Sequence, residues 1–375
     1  MSSSINRQNG EAGQNGNLFP KISGKHQDFL ASLQKLKSEG KLPPILDLEG
    51  TTKLHGMHAD IVYDLHEPLT DSAASKQPIL FQSRNRICEP DENQQGWPRD
   101  VAQFPDALIY LQTRILARFA EKNPDKTVNR AFPLIVAGEW IGGRVQRDVG
   151  LAQLSNRFVI LSIQINGLWQ KDEDYGDIEA ARAGIYSVFR AQQTKLKFDT
   201  SNITDANPAL FEMQRLADTV ELSCPFAAAF GVQNSRGEGV VWKPGVPSAR
   251  ADAKYWLKTK GPIFGKENRI DPAKIKADTA RNLTIGDAAT RWVTPRRVEQ
   301  GFEYLNEMNV DPNRQTCIKE FINWVVNDVM VEEARDIAVF KTRFTGAEQT
   351  VKRKVGCLAK CAFLLKMREC GADLA

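Results

Sequence analysis

The chain has 375 residues and a formal net charge of +4, which arises from 50 basic and 46 acidic residues. Its 42% apolar and 26% charged content is typical of a soluble globular protein long enough for two domains, or for one large catalytic core with an appendage. The charge excess is too small to indicate a polyanionic partner by itself. The six cysteines contain no CxxC pair, which excludes a zinc site built from closely spaced ligand pairs.

The first 20 residues are rich in Ser, Asn, Gln and Gly and are predicted to form a disordered tail. They lack the apolar run of a signal peptide, and no later segment approaches the roughly 20 apolar residues that span a bilayer. We therefore expect an intracellular protein, cytoplasmic or nuclear, with free thiols.

Helical and β-rich patterns alternate through the first 260 residues. Phe29, Leu30, Leu33 and Leu36 have helical spacing, and the helix is predicted to end at Gly40. Further helices are predicted in 101–122, 177–193 and 208–218. Strands are predicted in 45–65, 77–87, 131–143 and 157–165, and a pair joined by a Pro/Gly/Ser loop in 236–260.

Beyond Lys266 the patterns are almost entirely helical, in 272–283, 294–308, 314–340 and 348–370. A boundary is therefore expected near 266–275. The predicted fold class is α+β, with a core domain over 21–266 followed by a small all-α domain over 267–375.

Five polar clusters in the first domain call for a common explanation. Each is weak alone, because polar residues at the ends of elements are usually just exposed. In chain order they resemble the motifs of the covalent nucleotidyltransferase superfamily, which contains the polynucleotide ligases and the mRNA capping enzymes. The clusters are Lys53 in KLHG, Arg84 in SRNR, Glu139 in GEW, Glu238 in GEGVVWKP, and Lys258 with Lys260 in KYWLKTK.

The resemblance is closest to RNA ligases of the phage RNA ligase 2 type, because His55 occupies a position where DNA ligases and capping enzymes usually have Asp. The strings GEWIGGRVQRDVG, ELSCPF followed by FGV, and VTPRRV also resemble that family. The likeness extends from about residue 45 to 260, and more loosely to the C-terminus. It implies an ATP-grasp-like nucleotidyltransferase core of antiparallel sheets flanked by helices.

The expected chemistry explains why these residue types are needed. An amine that attacks the α-phosphate of ATP must be neutral, whereas a lysine ordinarily has a pKa of about 10.4. Lys258 and Lys260 are two apart on a predicted strand and so share a face. With a divalent cation, Mg²⁺ or Mn²⁺, they would supply positive charge that favours a neutral amine at Lys53 and stabilises the phosphate.

The resemblance also implies a role for each remaining motif residue. Lys53 would carry covalent AMP, and Gly56 would let the backbone approach the nucleotide. Glu139 would accept hydrogen bonds from the ribose, Glu238 would hold the metal, and Arg84 would engage a phosphate or the 3′-OH end.

The adenine contacts are expected along two strands. The family usually has an aromatic residue that stacks on adenine, followed by an acidic residue, where this chain has Leu161 and Ser162. Two alternatives are open: Phe158 is the stacking residue in another register, or an aliphatic residue covers the base. The expected nucleotide-binding set is completed by Glu49, Thr51, Thr52 and His55.

The expected function is an ATP-dependent RNA ligase that seals 3′-OH and 5′-phosphate RNA ends. A DNA ligase or capping enzyme is disfavoured, because the chain after the last motif looks helical and shows no barrel of short strands. A non-catalytic RNA-binding protein on a ligase scaffold is the alternative from another class. We expect a monomer, and any end-healing kinase or phosphatase would be a separate protein, because the chain has no kinase P-loop.

Several side chains have two open interpretations. His55 is either a hydrogen-bonded strut or a direct participant in catalysis. Trp242 and Trp256 are predicted to be core residues, as are Cys357 and Cys361, in a stripe with Leu358 and Leu365. The C-terminal basic residues form either a solvated helix face or a phosphate-binding track, namely Lys352, Arg353, Lys354, Lys360, Lys366 and Arg368.

Overall fold

The structure is a computed structural model that describes residues 19–66, 79–143, 145–146, 149–205, 207–264, 285–311, 317–343 and 346–369. The chain divides into two compact units, residues 1–269 and 270–375. The predicted N-terminal tail up to residue 18 and the predicted helix over 272–283 lie outside the described residues. The assignment of the two units as functional domains stays a prediction.

Thirteen strands and six helices make up the described part of the first unit. The helices are α1 His26–Ser38, α2 Arg99–Ala102, α3 Pro105–Lys122, α4 Pro208–Leu222, α5 Pro225–Ala228 and α6 Pro247–Arg250. The strands are β1 Ile45–Lys53, β2 Met57–Tyr63, β3 Ile79–Ser83, β4 Ile87–Cys88, β5 Asn93–Gln94, β6 Trp97–Pro98, β7 Leu134–Ile141, β8 Arg157–Ile165, β9 Leu168–Trp169, β10 Ile185–Ser187, β11 Thr194–Asp199, β12 Gly239–Pro244 and β13 Leu257–Lys260.

Most of these strands form two sheets. The smaller has the order β11-β1-β12-β13 and is antiparallel throughout. The larger has the order β10-β8-β7-β2-β3-β4, with β9 paired to β8, and is antiparallel except for the parallel pairing of β10 with β8. The predicted α+β core of antiparallel sheets flanked by helices is confirmed.

The two sheets pack against each other, and helices cover their outer faces. Val241 of β12 packs in one apolar cluster with Ile135 and Ala137 of β7. On the outer face of the smaller sheet, α1 and α4 pack against β1 and β12, with Trp242 buried between them. The helix α3 covers the outer face of the larger sheet. The inner faces are therefore the place where polar side chains of both sheets can meet.

The described part of the second unit is entirely helical, with α7 Ile285–Trp292, α8 Pro295–Glu307, α9 Ile318–Glu332, α10 Ala334–Arg343 and α11 Ala347–Glu369. They enclose one apolar cluster of their own. Among the described residues, no helix combines the length and the apolar character needed to cross a membrane.

Cys357 and Cys361 do not pack in this core, contrary to the prediction. The buried ladder of α11 runs through Val351, Val355, Ala359, Phe363 and Met367 at a spacing of four residues. A residue two positions after a ladder member lies about 200° around the helix, so both cysteines are exposed. Trp242 and Trp256 are fully buried, as predicted.

Two predictions of secondary structure in the first unit were also wrong. Residues 177–193 form no α-helix but two 3-10 turns around β10, which gains its hydrogen bonds from β8. The segment 101–122 is not one helix, because α2 ends at Ala102 and a new helix begins at Pro105. Proline has no N–H to donate and suits a first helical turn. The strand β11 was not predicted.

The packing of β1 against Trp242 gives a first testable prediction. A Cβ added at Gly50 would lie 2.6 Å from the indole ring, which is itself fully buried. We expect Gly50→Ala to lower the free energy of unfolding by about 1–3 kcal/mol through overpacking, measured by denaturant titration. Gly245→Ala is the control, because its Cβ would come no closer than 3.3 Å to a neighbour. An equal loss in both variants would contradict the packing argument.

Candidate functional site

The site is built on a row of residues that crosses three strands. Lys53 at the end of β1 pairs with Gly239 of β12, and Gly239 pairs in turn with Lys260 of β13. The backbone of Gly239 has φ +154°, and a Cβ there would lie 2.1 Å from the carbonyl oxygen of Thr259. Only glycine lets β12 and β13 approach this closely. The preceding residue, Glu238, is thereby placed between the two lysines.

Glu238 is the centre of a charged cluster. Its Oε2 accepts a hydrogen bond from Lys53 Nζ at 2.6 Å, and its Oε1 lies 3.0 Å from Lys260 Nζ. His55 Nδ1 lies 3.2 Å from Oε2. The carboxylate is 3% exposed, whereas the two lysine side chains are 21% and 17% exposed. The lysines therefore separate a buried carboxylate from solvent.

The surrounding cations decide the protonation state of Glu238. Burial, the largest single influence, acts to raise the pKa of the carboxyl group. Lys53, Lys260 and His55 act in the opposite direction and together hold the pKa well below its usual range. Glu238 is thus a carboxylate at neutral pH, and the ion pair requires the ammonium form of Lys53.

Glu139 approaches this cluster from the larger sheet. Its Oε1 accepts a hydrogen bond from the backbone N–H of Gly56 at 2.9 Å. A Cβ at Gly56 would lie 2.3 Å from the carbonyl oxygen of Trp140, so the β1–β2 connection passes the Glu139 strand only with glycine. Gly56 was expected to admit a nucleotide, and the contact it is seen to permit is with β7.

The pKa of Glu139 shifts in the opposite direction from that of Glu238. Burial is the main cause and raises it, while Lys53, His58 and Arg84 counteract the rise. Arg84, in the turn between β3 and β4, is thus within electrostatic reach of Glu139. His58 is buried, and its Nε2 lies 2.9 Å from Asp60 Oδ2. The structure therefore brings Lys53, Glu139, Glu238, Lys260 and Arg84 into one neighbourhood.

His55 and Lys258 lie at the edges of this neighbourhood. The imidazole of His55 contacts Glu238 and lies against the ring of Phe264, with centroids 5.4 Å apart. This arrangement agrees with the strut interpretation and leaves a direct role open. Lys258 shares the face of β13 that carries Lys260, since the two are separated by one residue of a strand.

Two residues of the expected nucleotide-binding set, Phe158 and Thr52, have side chains on the opposite faces of their strands from the Glu238 cluster. Phe158 is fully buried and stacks on Trp97, with ring centroids 5.3 Å apart and an interplanar angle of 14°. Its side chain therefore belongs to the α3 side of the larger sheet, and the prediction that it stacks on adenine is not supported. Thr52 alternates with Lys53 and shares the face of Gly50, which looks toward Trp242 and not toward Glu238.

A second buried charge cluster consists of Glu49, Asp172, Lys243 and Arg250. Of these four residues, the sequence pointed only to Glu49. Arg250 Nη2 lies 2.7 Å from Glu49 Oε2 and 2.9 Å from Asp172 Oδ2. Lys243 Nζ contacts Asp172 and the hydroxyl of Ser162, and lies 4.3 Å from the Trp256 ring centroid. All four charged residues are nearly inaccessible to solvent.

This cluster lies on the same face of β1 as the nucleophile candidate. Glu49, Thr51 and Lys53 alternate along the strand, and Glu49 pairs directly with Lys243 of β12. One feature of the sequence could have indicated this buried cluster: the charged residue Lys243 within the otherwise apolar segment VVWKP. A lysine on a buried strand needs a carboxylate partner, but the partner Asp172 is distant in sequence.

Comparison with known proteins gives one family. The model of the RNA ligase family matches residues 47–260, which is more than half of the chain. A search of curated protein sequences finds no match.

Solved structures of the Naegleria gruberi RNA ligase are similar to this chain. The complex of that ligase with PPi has a TM-score of 0.40 and 13% identity, and the match covers 72% of this chain and 63% of that one. One mutant of that ligase, with ATP and Mn, has a TM-score of 0.38 and 13% identity, covering 68% and 63%. Another, with AMP and Mn, has a TM-score of 0.37 and 14% identity, with the same coverage. The chain thus spans less than two thirds of the length of these ligases.

The depressed pKa of Glu238 predicts a specific pH dependence of stability. In the unfolded chain this carboxyl group titrates near 4.5, but in the folded protein it stays ionised to a lower pH. Its stabilising contribution is therefore complete above about pH 4.5 and is lost as the pH falls toward the folded value. We expect the difference in unfolding free energy between wild type and Glu238→Gln to shrink below pH 4.5, as measured by urea denaturation. A difference independent of pH would contradict this.

The second cluster predicts a large cost for one substitution. Arg250→Met would leave Glu49 and Asp172 with less compensating positive charge in a buried site, and we expect a loss of about 3–5 kcal/mol in unfolding free energy. Arg215→Met is the matched control, because Arg215 forms an exposed pair with Glu212 on α4 and its loss should cost about 0–1 kcal/mol. Similar costs for the two variants in denaturant titrations would show that the buried network contributes little.

Proposed function

Because the chain belongs to the RNA ligase family, we propose that it is an ATP-dependent ligase that joins a 3′-OH to a 5′-phosphate of RNA. The reaction would proceed through a lysyl-adenylate on Lys53 and an RNA-adenylate. The observation that carries this proposal is the cluster of Lys53, Glu238 and Lys260. It places an amine beside a second cation and a buried carboxylate, on a strand row held together by Gly239.

Lys53 is the proposed nucleophile. Its amine attacks the α-phosphorus of ATP, a P–N bond forms, and the bond from that phosphorus to the bridging oxygen breaks as pyrophosphate leaves. The ammonium must first lose a proton and leave its ion pair with Glu238. The negative phosphates of ATP compete with Glu238 for the lysines, so substrate binding itself loosens the pair that restrains the nucleophile.

Lys260 is the proposed phosphate contact. Its side chain is partly exposed and its ammonium lies on the other oxygen of Glu238, so it can move from the carboxylate to a phosphate oxygen. Positive charge at this point stabilises the charge that develops on the phosphate oxygens during transfer. Lys258, on the same strand face, is proposed to assist it.

The residues present fit a divalent cation that takes most of its ligands from substrate and water. Within the residues that the structure describes, no three side chains of His, Cys, Asp or Glu form a metal cluster of their own. Magnesium commonly uses one or two carboxylates together with phosphate oxygens, and Glu238 would hold it here. Such an ion, Mg²⁺ or Mn²⁺, would neutralise phosphate charge.

The proposed nucleotide contacts follow from the faces of the strands. Glu139, whose raised pKa reflects burial, is proposed to accept hydrogen bonds from the ribose. Thr51 lies between Glu49 and Lys53 on the inner face of β1 and is proposed to line the base pocket. Glu49 is proposed to act through its ion pair with Arg250, which fixes the strand. Arg84 is proposed to engage a phosphate or the 3′-OH end.

The remaining two steps return Lys53 to its starting state. An oxygen of the RNA 5′-phosphate attacks the phosphorus of the lysyl-adenylate, the P–N bond breaks, and the amine regains a proton. The 3′-OH then attacks the 5′-phosphate of the RNA-adenylate, and AMP leaves as the phosphodiester forms. The helical second unit is proposed to support RNA binding through exposed basic residues of α11 such as Lys354 and Lys360.

Loss of the nucleophile gives the direct test. Incubation of Lys53→Ala with α-labelled ATP and magnesium should yield no labelled protein, whereas the wild type becomes labelled and, with RNA carrying 5′-phosphate and 3′-OH ends, seals it. Lys195→Ala is the control, because Lys195 is 68% exposed and pairs with Glu173 away from the Glu238 cluster. Labelling of Lys53→Ala to the level of the control would disprove the proposed role of Lys53.

A further inference from the structure

A group of two arginines and two aromatic rings lies outside the catalytic cluster. The rings of Tyr186 and Phe230 meet edge to face, with centroids 4.9 Å apart. The Arg157 guanidinium lies 4.1 Å from the Phe230 centroid, and the Arg190 guanidinium lies 4.9 Å from the Tyr186 centroid. Each arginine is also within 5.3 Å of the other ring. We call these four residues the arginine–aromatic platform.

The platform has a buried side and an exposed side. Arg157 is 7% exposed, its Nε and Nη2 donate to the carbonyl and hydroxyl oxygens of Ser155, and its Nη1 has no hydrogen-bond partner. Arg190 has a side chain that is 38% exposed and is oriented by two hydrogen bonds to Glu179. Tyr186 and Phe230 are partly exposed. The rings and the outer guanidinium are therefore ordered before any ligand arrives.

The strand register places this platform beside the proposed nucleotide site. Glu139 of β7 pairs with Val159 of β8, and Val159 pairs with Tyr186 of β10. Directly paired residues project to the same face of a sheet, so Tyr186 lies on the face that carries Glu139. Two strand spacings separate their backbones, which is about 10 Å.

The pairing of Arg157 agrees with this placement. This residue pairs with Ile141 of β7, which is two residues after Glu139 and therefore on the same face. Phe230 packs against the apolar cluster that also contains Leu54 and Ile141. Leu54 directly follows the proposed nucleophile. The platform is thus continuous with the wall of the site, and not a remote surface feature.

We propose that the arginine–aromatic platform binds an unpaired nucleobase of the RNA substrate close to the joined end, with Arg190 contacting an adjacent phosphate. Aromatic rings and arginine planes stack on unpaired bases without selecting a sequence. A stacked strand advances about 3.4 Å per nucleotide. The distance of about 10 Å between the backbones of Glu139 and Tyr186 therefore corresponds to about three nucleotides from the joined end. This inference rests on the proposed function and adds a location for the RNA.

The test uses the full-length protein and two variants of the platform. Arg190→Ala removes the exposed cation, and Phe230→Leu removes a ring while keeping an apolar side chain. Arg215→Ala is the matched control, because Arg215 also forms an exposed pair with a glutamate, Glu212, but touches no aromatic ring in the described contacts. Fluorescence anisotropy measures the binding of two single-stranded 12-nucleotide RNAs. One carries the label at its 3′ end and has a 5′-phosphate. The other carries the label at its 5′ end and has a free 3′-OH.

Both platform variants should bind RNA about tenfold or more weakly than the control, as expected for loss of a base stack. For Arg190→Ala the slope of log affinity against log salt should also fall by about 0.7. Labelling of Lys53 with ATP, measured without RNA, should stay at the wild-type level. An abasic site two to four nucleotides from one end should weaken wild-type binding but not that of Phe230→Leu, which maps the base to the platform.

Each outcome separates this inference from the proposed function. If the wild type is labelled by ATP and binds RNA, but both variants bind as tightly as the control, the platform is not an RNA site and only this inference is overturned. The inference is also overturned if an abasic site lowers the RNA affinity of the wild type and of Phe230→Leu by the same factor. If the wild type is neither labelled by ATP nor able to bind RNA, the proposed function is overturned and this inference with it.

Discussion

The carboxylate of Glu238 is shared between two lysines that reach it from different strands, and the inner face of the smaller sheet is organised around this contact. A buried charge is costly unless it is compensated by opposite charge and hydrogen bonds. Lys53, Lys260 and His55 provide that compensation. Their meeting depends on Gly239, which pairs with both lysines and whose positive φ leaves no room for a Cβ beside Thr259.

The two sheets contribute different halves of the site. The smaller carries the nucleophile candidate, the carboxylate and the second lysine, while the larger carries Glu139 and, two strands away, Tyr186. The connection between β1 and β2 joins the halves, and its Gly56 donates a hydrogen bond to Glu139. Lys53 and Gly56 lie three residues apart, so the end of β1 is close in sequence to the contact with the larger sheet.

The buried cluster of Glu49, Asp172, Lys243 and Arg250 holds β1 in that position. It ties the middle of β1 to β12, to the end of α6 and to the 3-10 turn at 172–175. Unlike the pair of Lys53 and Glu238, it has almost no access to solvent. In the proposed reaction the first cluster would exchange partners when phosphates bind, and the second would keep the strand in register during that exchange.

Local sequence patterns were sufficient to predict the strands around KLHG, GEW and GEGVVWKP, the helices described from Ile285 onward, and the five motif positions that resemble RNA ligases. Short segments contain this information, because the periodicity of hydrophobic residues and the spacing of motif residues are local properties of the sequence. Which motif residues meet depends on tertiary contacts. Phe158 is on the far face of β8, and 177–193 became strand and turns, because pairing across the sheet outweighs local preference. Asp172 and Arg250, with the platform of Arg157, Tyr186, Arg190 and Phe230, come together from segments distant in sequence. Such contacts depend on strand order and register, which no short segment encodes.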